Sequence, residues 1–215
     1  MKKFYLSIAA LALCFTSCKK ETATDTTKTE VTTDTIVTKE ATPEKPKDTA
    51  AENEAWRKYM APNEAHKMMA EENGKWVNEM TFWTSPDAAP EKHMTTSVGR
   101  MILGGRFQEM DYQGDMMGMH FEGRSTLAYN TINNEYTSTW IDNMGTGMMV
   151  AKGVYDEATK SITFKGEMIN PVDGKKKPSR EVYTFVNADT RKMESYDIKN
   201  GKEYKSMEIL MKRKK

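Results

Sequence analysis

The densest cluster of methionine with histidine lies in the segment Arg100–Asn130, where Met116, Met117 and Met119 are followed by His120. Thioethers and imidazole suit Cu(I), so Met117, Met119 and His120 form the metal-ligating set to weigh. Met144, Met148 and Met149 can add sulfur from a neighbouring loop. In an extended segment Met117 and Met119 share one face, while Met116 and His120 point the other way. Against a dedicated copper site, the chain holds 18 methionines, Met60, Met68, Met69, Met80, Met207 and Met211 among them, which is how a protein uses adaptable core filler. Haem held through one histidine is the other metal chemistry to consider. The chain has 3 histidines, and none of His66, His93 and His120 sits in a clean apolar alternation.

Other chemistry is weaker. Ser97, Ser125, Ser138 and Ser195 lack any elbow motif, and no histidine and aspartate stand in a triad-like arrangement. Glu109 and Asp111 share a strand face, and paired carboxylates can do acid–base work, but a solvated face explains them more simply. No catalytic residue is assigned and no cofactor is expected; a hydrolase depending on Asp142 or His120 is the enzyme alternative. The net charge of +1 argues against a dedicated nucleic-acid binder. Lys175-Lys176-Lys177 and the tail from Lys212 to Lys215 read as solvated charge.

The N-terminus has the build of an export signal, residues 1–17. Lys2-Lys3 precede an apolar run, Phe4–Phe15, that is too short to span a bilayer core of about 30 Å. Phe15-Thr16-Ser17-Cys18 resembles the lipobox of bacterial lipoproteins, which implies cleavage before Cys18 and acylation of that cysteine. Two acyl chains suffice for stable attachment to a bilayer. The only other cysteine, Cys14, leaves with the signal, so the folded part has no disulfide and no cysteine metal site. Residues 18–55 are rich in threonine and charge and poor in aliphatics, the composition of a disordered linker with a reach of about 35 Å. Localisation follows as the cell envelope, lipid-anchored at the outer membrane, with the periplasmic or surface face left open.

From residue 56 the chain has the means to fold. Asn53–Tyr59 carries a short amphipathic piece with Trp56 and Tyr59, and Pro62–Glu72 reads as a helix with Asn63 as N-cap and Gly74 at its C-terminal end. His66, Met69 and Ala70 share one face of it. From Lys75 the period changes to two. Trp76, Asn78, Met80 and Phe82 oppose Val77, Glu79, Thr81 and Trp83; Ile162, Phe164, Gly166 and Met168 repeat the pattern, as do Met207, Ile209 and Met211. Turn signals at Gly104-Gly105, Asn130–Asn134, Asp142–Gly145, Asp156–Thr159, Asn170–Gly174, Asn187–Thr190 and Asn200-Gly201 divide the chain into about ten strands. A meander of that size closes most economically into an all-β, antiparallel up-and-down β-barrel, because closure removes the exposed edges.

The succession Glu64-Ala65-His66-Lys67, Gly74-Lys75-Trp76, Gly99–Phe107, Phe121-Glu122-Gly123, Ser138–Asp142 and Gly153–Asp156 resembles the bacterial family called domain of unknown function 1579. The resemblance runs from about Pro62 to Arg213 and implies a lipocalin-like barrel. It implies no reaction, cofactor or catalytic residue, and His120 stands where a proline is common in the family.

The reading that follows is a non-enzymatic envelope lipoprotein, anchored in the lipid bilayer through acylated Cys18. Its barrel would bind a hydrophobic or amphipathic small molecule in a cavity lined by Trp76, Phe82, Phe107, Phe121, Tyr136, Trp140 and Phe164, with Phe185 in reserve. The alternative is a packed barrel acting as a structural or interaction module whose partner is an envelope protein.

Overall fold

In the computed structural model, residues 48–215 are described. The export signal, Cys18 and linker residues 18–47 lie outside the described residues. Two helices, α1 (Thr49–Met60) and α2 (Glu64–Ala70), precede ten strands. These are β1 (Gly74–Phe82), β2 (Glu91–Ile102), β3 (Phe107–Met116), β4 (Met119–Asn130), β5 (Glu135–Asp142), β6 (Met149–Asp156), β7 (Ser161–Ile169), β8 (Lys176–Asn187), β9 (Thr190–Lys199) and β10 (Lys202–Arg213). Every strand pairs antiparallel with its sequence neighbour, and β1 pairs with β10 to close the barrel. The up-and-down barrel expected from the alternation is the fold that forms.

Helix α1 begins earlier than composition suggests. Asp48 accepts the backbone N–H groups of Ala50 and Ala51, both at 3.2 Å, and so caps a helix that begins at Thr49, within the stretch whose composition is that of a linker. Helix α2 is capped by Asn63 as expected, with the Ala65 N–H donating to Asn63 Oδ1 at 3.1 Å. His66 completes the capping box: its Nδ1 accepts the Asn63 backbone N–H at 3.1 Å. Burial and the nearby Arg106 lower the pKa of His66, which favours this neutral acceptor form. The helix ends at Ala70, and Gly74, at φ 113°, opens β1 instead of capping α2.

The predicted turns at Gly104-Gly105 and Asn200-Gly201 carry left-handed backbone, with Asn200 and Gly201 at φ 53° and 74°. Gly114 to Gly118 reads in the sequence as the loop into the next strand, and the turn falls at the C-terminal end of that span. Met117 and Gly118, at φ 52° and 75°, reverse the chain between β3 and β4, although methionine is no turn signal. Gly114, expected in a loop there, lies inside β3.

Odd-numbered connections and even-numbered ones fall at opposite ends of the barrel. At one end α2 and the residues after it form a floor. Gly99 of β2 makes this fit possible: a Cβ there would lie 2.5 Å from the Glu72 carbonyl oxygen. The Trp76 indole N–H donates to that same carbonyl at 2.9 Å. At the other end the connections β1–β2, β3–β4, β5–β6, β7–β8 and β9–β10 surround a mouth. Among the described residues, no helix is long and apolar enough to cross a membrane.

Candidate ligand-binding cavity

Alternation along each strand sends one set of side chains inward. Near the floor that set packs solidly, with Trp76 and Met211 almost wholly buried. Toward the mouth it leaves a cavity of 330 Å³, within the range of small-molecule sites. Phe82, Phe121, Trp140 and Phe164 line it with the thioethers of Met80, Met116, Met193 and Met207.

Polar groups are few and specifically placed. At the bottom, Glu72 is 3% exposed. Its carboxylate accepts from Tyr183 Oη at 2.8 Å, from Gln108 Nε2 at 3.1 Å and from Arg191 Nε at 3.1 Å. Burial raises the Glu72 pKa, opposed by Tyr183, Arg191 and Gln108, which all donate to the ionised form. Arg191 is tied further, to the Asn187 and Thr190 carbonyls and to Glu71 Oε2 at 3.4 Å. This is a satisfied floor.

Glu181 is different. It lies on β8 half-way along the wall, in register with Phe164 on one side and Ser195 on the other. Its single side-chain hydrogen bond comes from Ser195 Oγ at a long 3.4 Å. It is half-buried and lines the cavity. Burial pushes its pKa up, and the Ser195 bond offsets this only in part. At the mouth, Asp142 Oδ2 accepts the Trp140 indole N–H at 2.6 Å and Oδ1 accepts the Met144 N–H at 3.0 Å. The Trp140 ring is held edge-on to Tyr112, with centroids 5.1 Å apart, and stacks on Phe121 at 6.3 Å.

Of the side chains expected to line a cavity, Phe82, Phe121, Trp140 and Phe164 do so. Trp76 and Tyr136 are inside the barrel but in its packed regions, Trp76 above the floor and Tyr136 in a cluster with Met69, Ile162 and Phe164. Phe107 is half-buried at the start of β3, away from the cavity. The methionine–histidine set is not gathered on one face. The turn at Met117-Gly118 makes Met116 and Met119 register partners, and Met117 reaches only the rim. His120 is paired with Asp115 across the strands, its Nε2 lying 3.2 Å from Glu122 Oε1 on the outside of the wall. None of the three histidines lines the cavity.

Glu109 and Asp111 are structural. Arg100 Nη1 donates to Asp111 Oδ2 at 2.7 Å and Arg124 Nε to Oδ1 at 2.6 Å, while Arg100 also pairs with Glu109. Burial would raise the Asp111 pKa, but the two arginines outweigh it and hold it low. A shallower, solvent-open depression of 520 Å³ adjoins this clamp on the outer wall, bounded by Gln113, Glu122, Arg124 and Asn143. Within it, Arg124 and Asp111 pair with each other.

Sequence reasoning missed Glu72, Glu181, Tyr183 and Arg191. The strands gave no clean signal for Glu181 or Arg191, because their alternations are mixed: Arg191 shares its face with Met193, Ser195 and Asp197, and Glu181 with Ser179, Tyr183 and Phe185.

Comparison with known proteins adds the family and the fold. Residues 61–213 match the family described as "Protein of unknown function (DUF1579)". Among solved structures the chain is similar to Rv2717c from M. tuberculosis, with a TM-score of 0.53 and 11% sequence identity, over 72% of this chain and 100% of that one. At that identity the likeness is one of fold. No curated protein matches the sequence.

Proposed function

We propose, from the premise that the chain belongs to the DUF1579 family, that its barrel is a non-enzymatic module binding a small amphipathic molecule. The observation that carries this is the 330 Å³ cavity beneath the mouth, walled by aromatic rings and thioethers. A barrel serving only as a structural module would gain stability by filling that volume, since unfilled space forfeits dispersion contacts. The methionine lining suits a binding site, because unbranched thioethers adjust to an occupant's shape. The floor supports the same reading. Glu72 and Arg191 fix the closed end, so an occupant enters and leaves by the mouth. A lipocalin-like kinship belongs to this proposal and is supported by the ten-strand meander.

The setting is proposed on the sequence. Cys18 would be acylated and hold the protein at the envelope, and the polar segment after it would act as a tether. The barrel would then sample its ligand near a membrane surface.

Native mass spectrometry of gently purified protein, together with titration by a solvatochromic apolar dye, tests the reading. The expected result is a co-purifying small molecule, or saturable dye uptake at one site per chain. Neither appearing would end the ligand proposal.

A further inference from the structure

The cavity is lined by three carboxylates, those of Glu72, Asp142 and Glu181, and by no lysine, arginine or histidine. Glu72 is neutralised by Arg191 beneath it. Asp142 is held by neutral donors alone, the Trp140 indole and the Met144 amide. Glu181 has only the long bond from Ser195. Among the described residues neither Asp142 nor Glu181 forms an ion pair with a cationic side chain, although the outer wall is laced with such pairs. The cavity is thus an apolar chamber whose uncompensated potential is negative.

We propose that the occupant is a cationic amphiphile: an ammonium-type group pairs with Glu181 inside the barrel, and an apolar body fills the mouth. This rests on the cavity being a ligand site. The two parts of such a molecule match two parts of the wall. Glu181 lies half-way down, flanked by Phe164 and Ser195. Above it Phe82, Phe121, Trp140 and Met207 offer apolar surface and aromatic faces, which also attract cations. A desolvated carboxylate gains most from a partner that brings both opposite charge and hydrogen-bond donors. An anionic amphiphile in the same place would set like charges together in a low dielectric, which is costly. The lining therefore selects amines against fatty acids.

Three probes with one tail and different heads decide it: n-hexylammonium, hexan-1-ol and hexanoate, titrated calorimetrically into the intact chain. Hexylammonium is expected to bind at least about tenfold more tightly than hexanol, with hexanoate weakest, the advantage being that of a charge-assisted hydrogen bond. Glu181→Gln should remove most of the amine's advantage over hexanol, weakening hexanol far less than the amine. Asp142→Asn, at the mouth, should reduce it less. A thermal melt of each variant confirms that it is folded. Hexanol or hexanoate matching the amine, or an amine preference that survives Glu181→Gln, overturns the charge proposal while leaving the cavity reading intact. No binding by any of the three overturns both.

Discussion

Arg191 donates from Nε to Glu72 Oε1 at 3.1 Å, with the two side chains 1% and 4% exposed. The contact joins Glu72, two residues past the end of α2, to the second residue of β9, so one buried pair locks the segment after the helix onto the barrel floor. A buried pair is weak evidence for net stability, but breaking one side of it leaves an uncompensated charge. Arg191→Met is therefore expected to cost about 3–5 kcal/mol in urea unfolding. Adding Glu72→Gln should recover most of that loss, because the amide oxygen can accept from Gln108 and its NH2 can donate to the Tyr183 hydroxyl oxygen, without a charge. Equal losses in the single and double variants would show that the pair is not the floor's lock.

Gly123 makes room for Trp140. A Cβ at residue 123 would lie 2.5 Å from Cη2 and 2.7 Å from Cζ2 of the Trp140 indole. Gly123→Ala must push that ring away from its bond to Asp142 and toward the cavity. The expected cost is about 1–3 kcal/mol, typical of overpacking, with a shift in tryptophan emission and weaker dye binding. Gly145→Ala in the β5–β6 connection meets nothing within 4 Å and serves as the control. An unchanged emission spectrum in Gly123→Ala would contradict the placement of Trp140.

The barrel was legible because its signals are local. Inward sets such as Trp76-Asn78-Met80-Phe82 and Ile162-Phe164-Gly166-Met168 read directly from period two, and Asn-Gly or Gly-Gly turns mark strand ends. The Gly114–Gly118 segment reads as a loop, but its exact point of reversal does not: nothing in methionine favours positive φ, and the strand pairing on either side sets the turn at Met117-Gly118. That one turn altered the reading of the methionine–histidine segment, placing His120 outside the wall and Met116 within it. The cavity's polar groups were harder still. Glu72 meets Gln108, Tyr183 and Arg191 across separations of 36, 111 and 119 residues, and no local pattern encodes such a meeting. Aromatic residues announced the interior without saying which of them would pack and which would border empty space.

Filling the cavity separates binding from folding. Ser138 lines it from β5, with a small side chain pointing inward. Ser138→Phe is expected to abolish dye binding and leave the thermal midpoint unchanged or raised, because the new ring occupies open volume. A destabilisation of about 1–3 kcal/mol, as overpacking would bring, would mean that the space is already taken up by neighbouring side chains.

The anchor proposal has its own readout. Cys18→Ala should abolish incorporation of labelled palmitate and move the protein from the membrane fraction to the soluble one, since attachment depends on the acyl chains. Retention of the variant in membranes would point to an attachment that does not involve Cys18.

Glu181 links the cavity to pH. Its carboxyl pKa is raised by burial above the ordinary carboxylate range. Between the unfolded and folded values the native state then holds more protons than the unfolded chain, so stability falls as pH rises through that window. Above the folded-state pKa the full penalty of an unpaired carboxylate is present; below about pH 4 it is gone. Glu181→Gln removes the titrating group while keeping the acceptor for Ser195 Oγ. The variant should therefore be more stable than the parent at neutral pH, with the difference shrinking to nothing in acid, as read from urea midpoints across the pH range. Saturating hexylammonium should stabilise the parent at neutral pH and narrow the same gap, because an occupant that pairs with the carboxylate supplies what the empty chamber lacks. A gap that stayed constant from neutral pH down to acid would trace the gain to packing, and Glu181 would lose its place as the charged group on which the cavity turns.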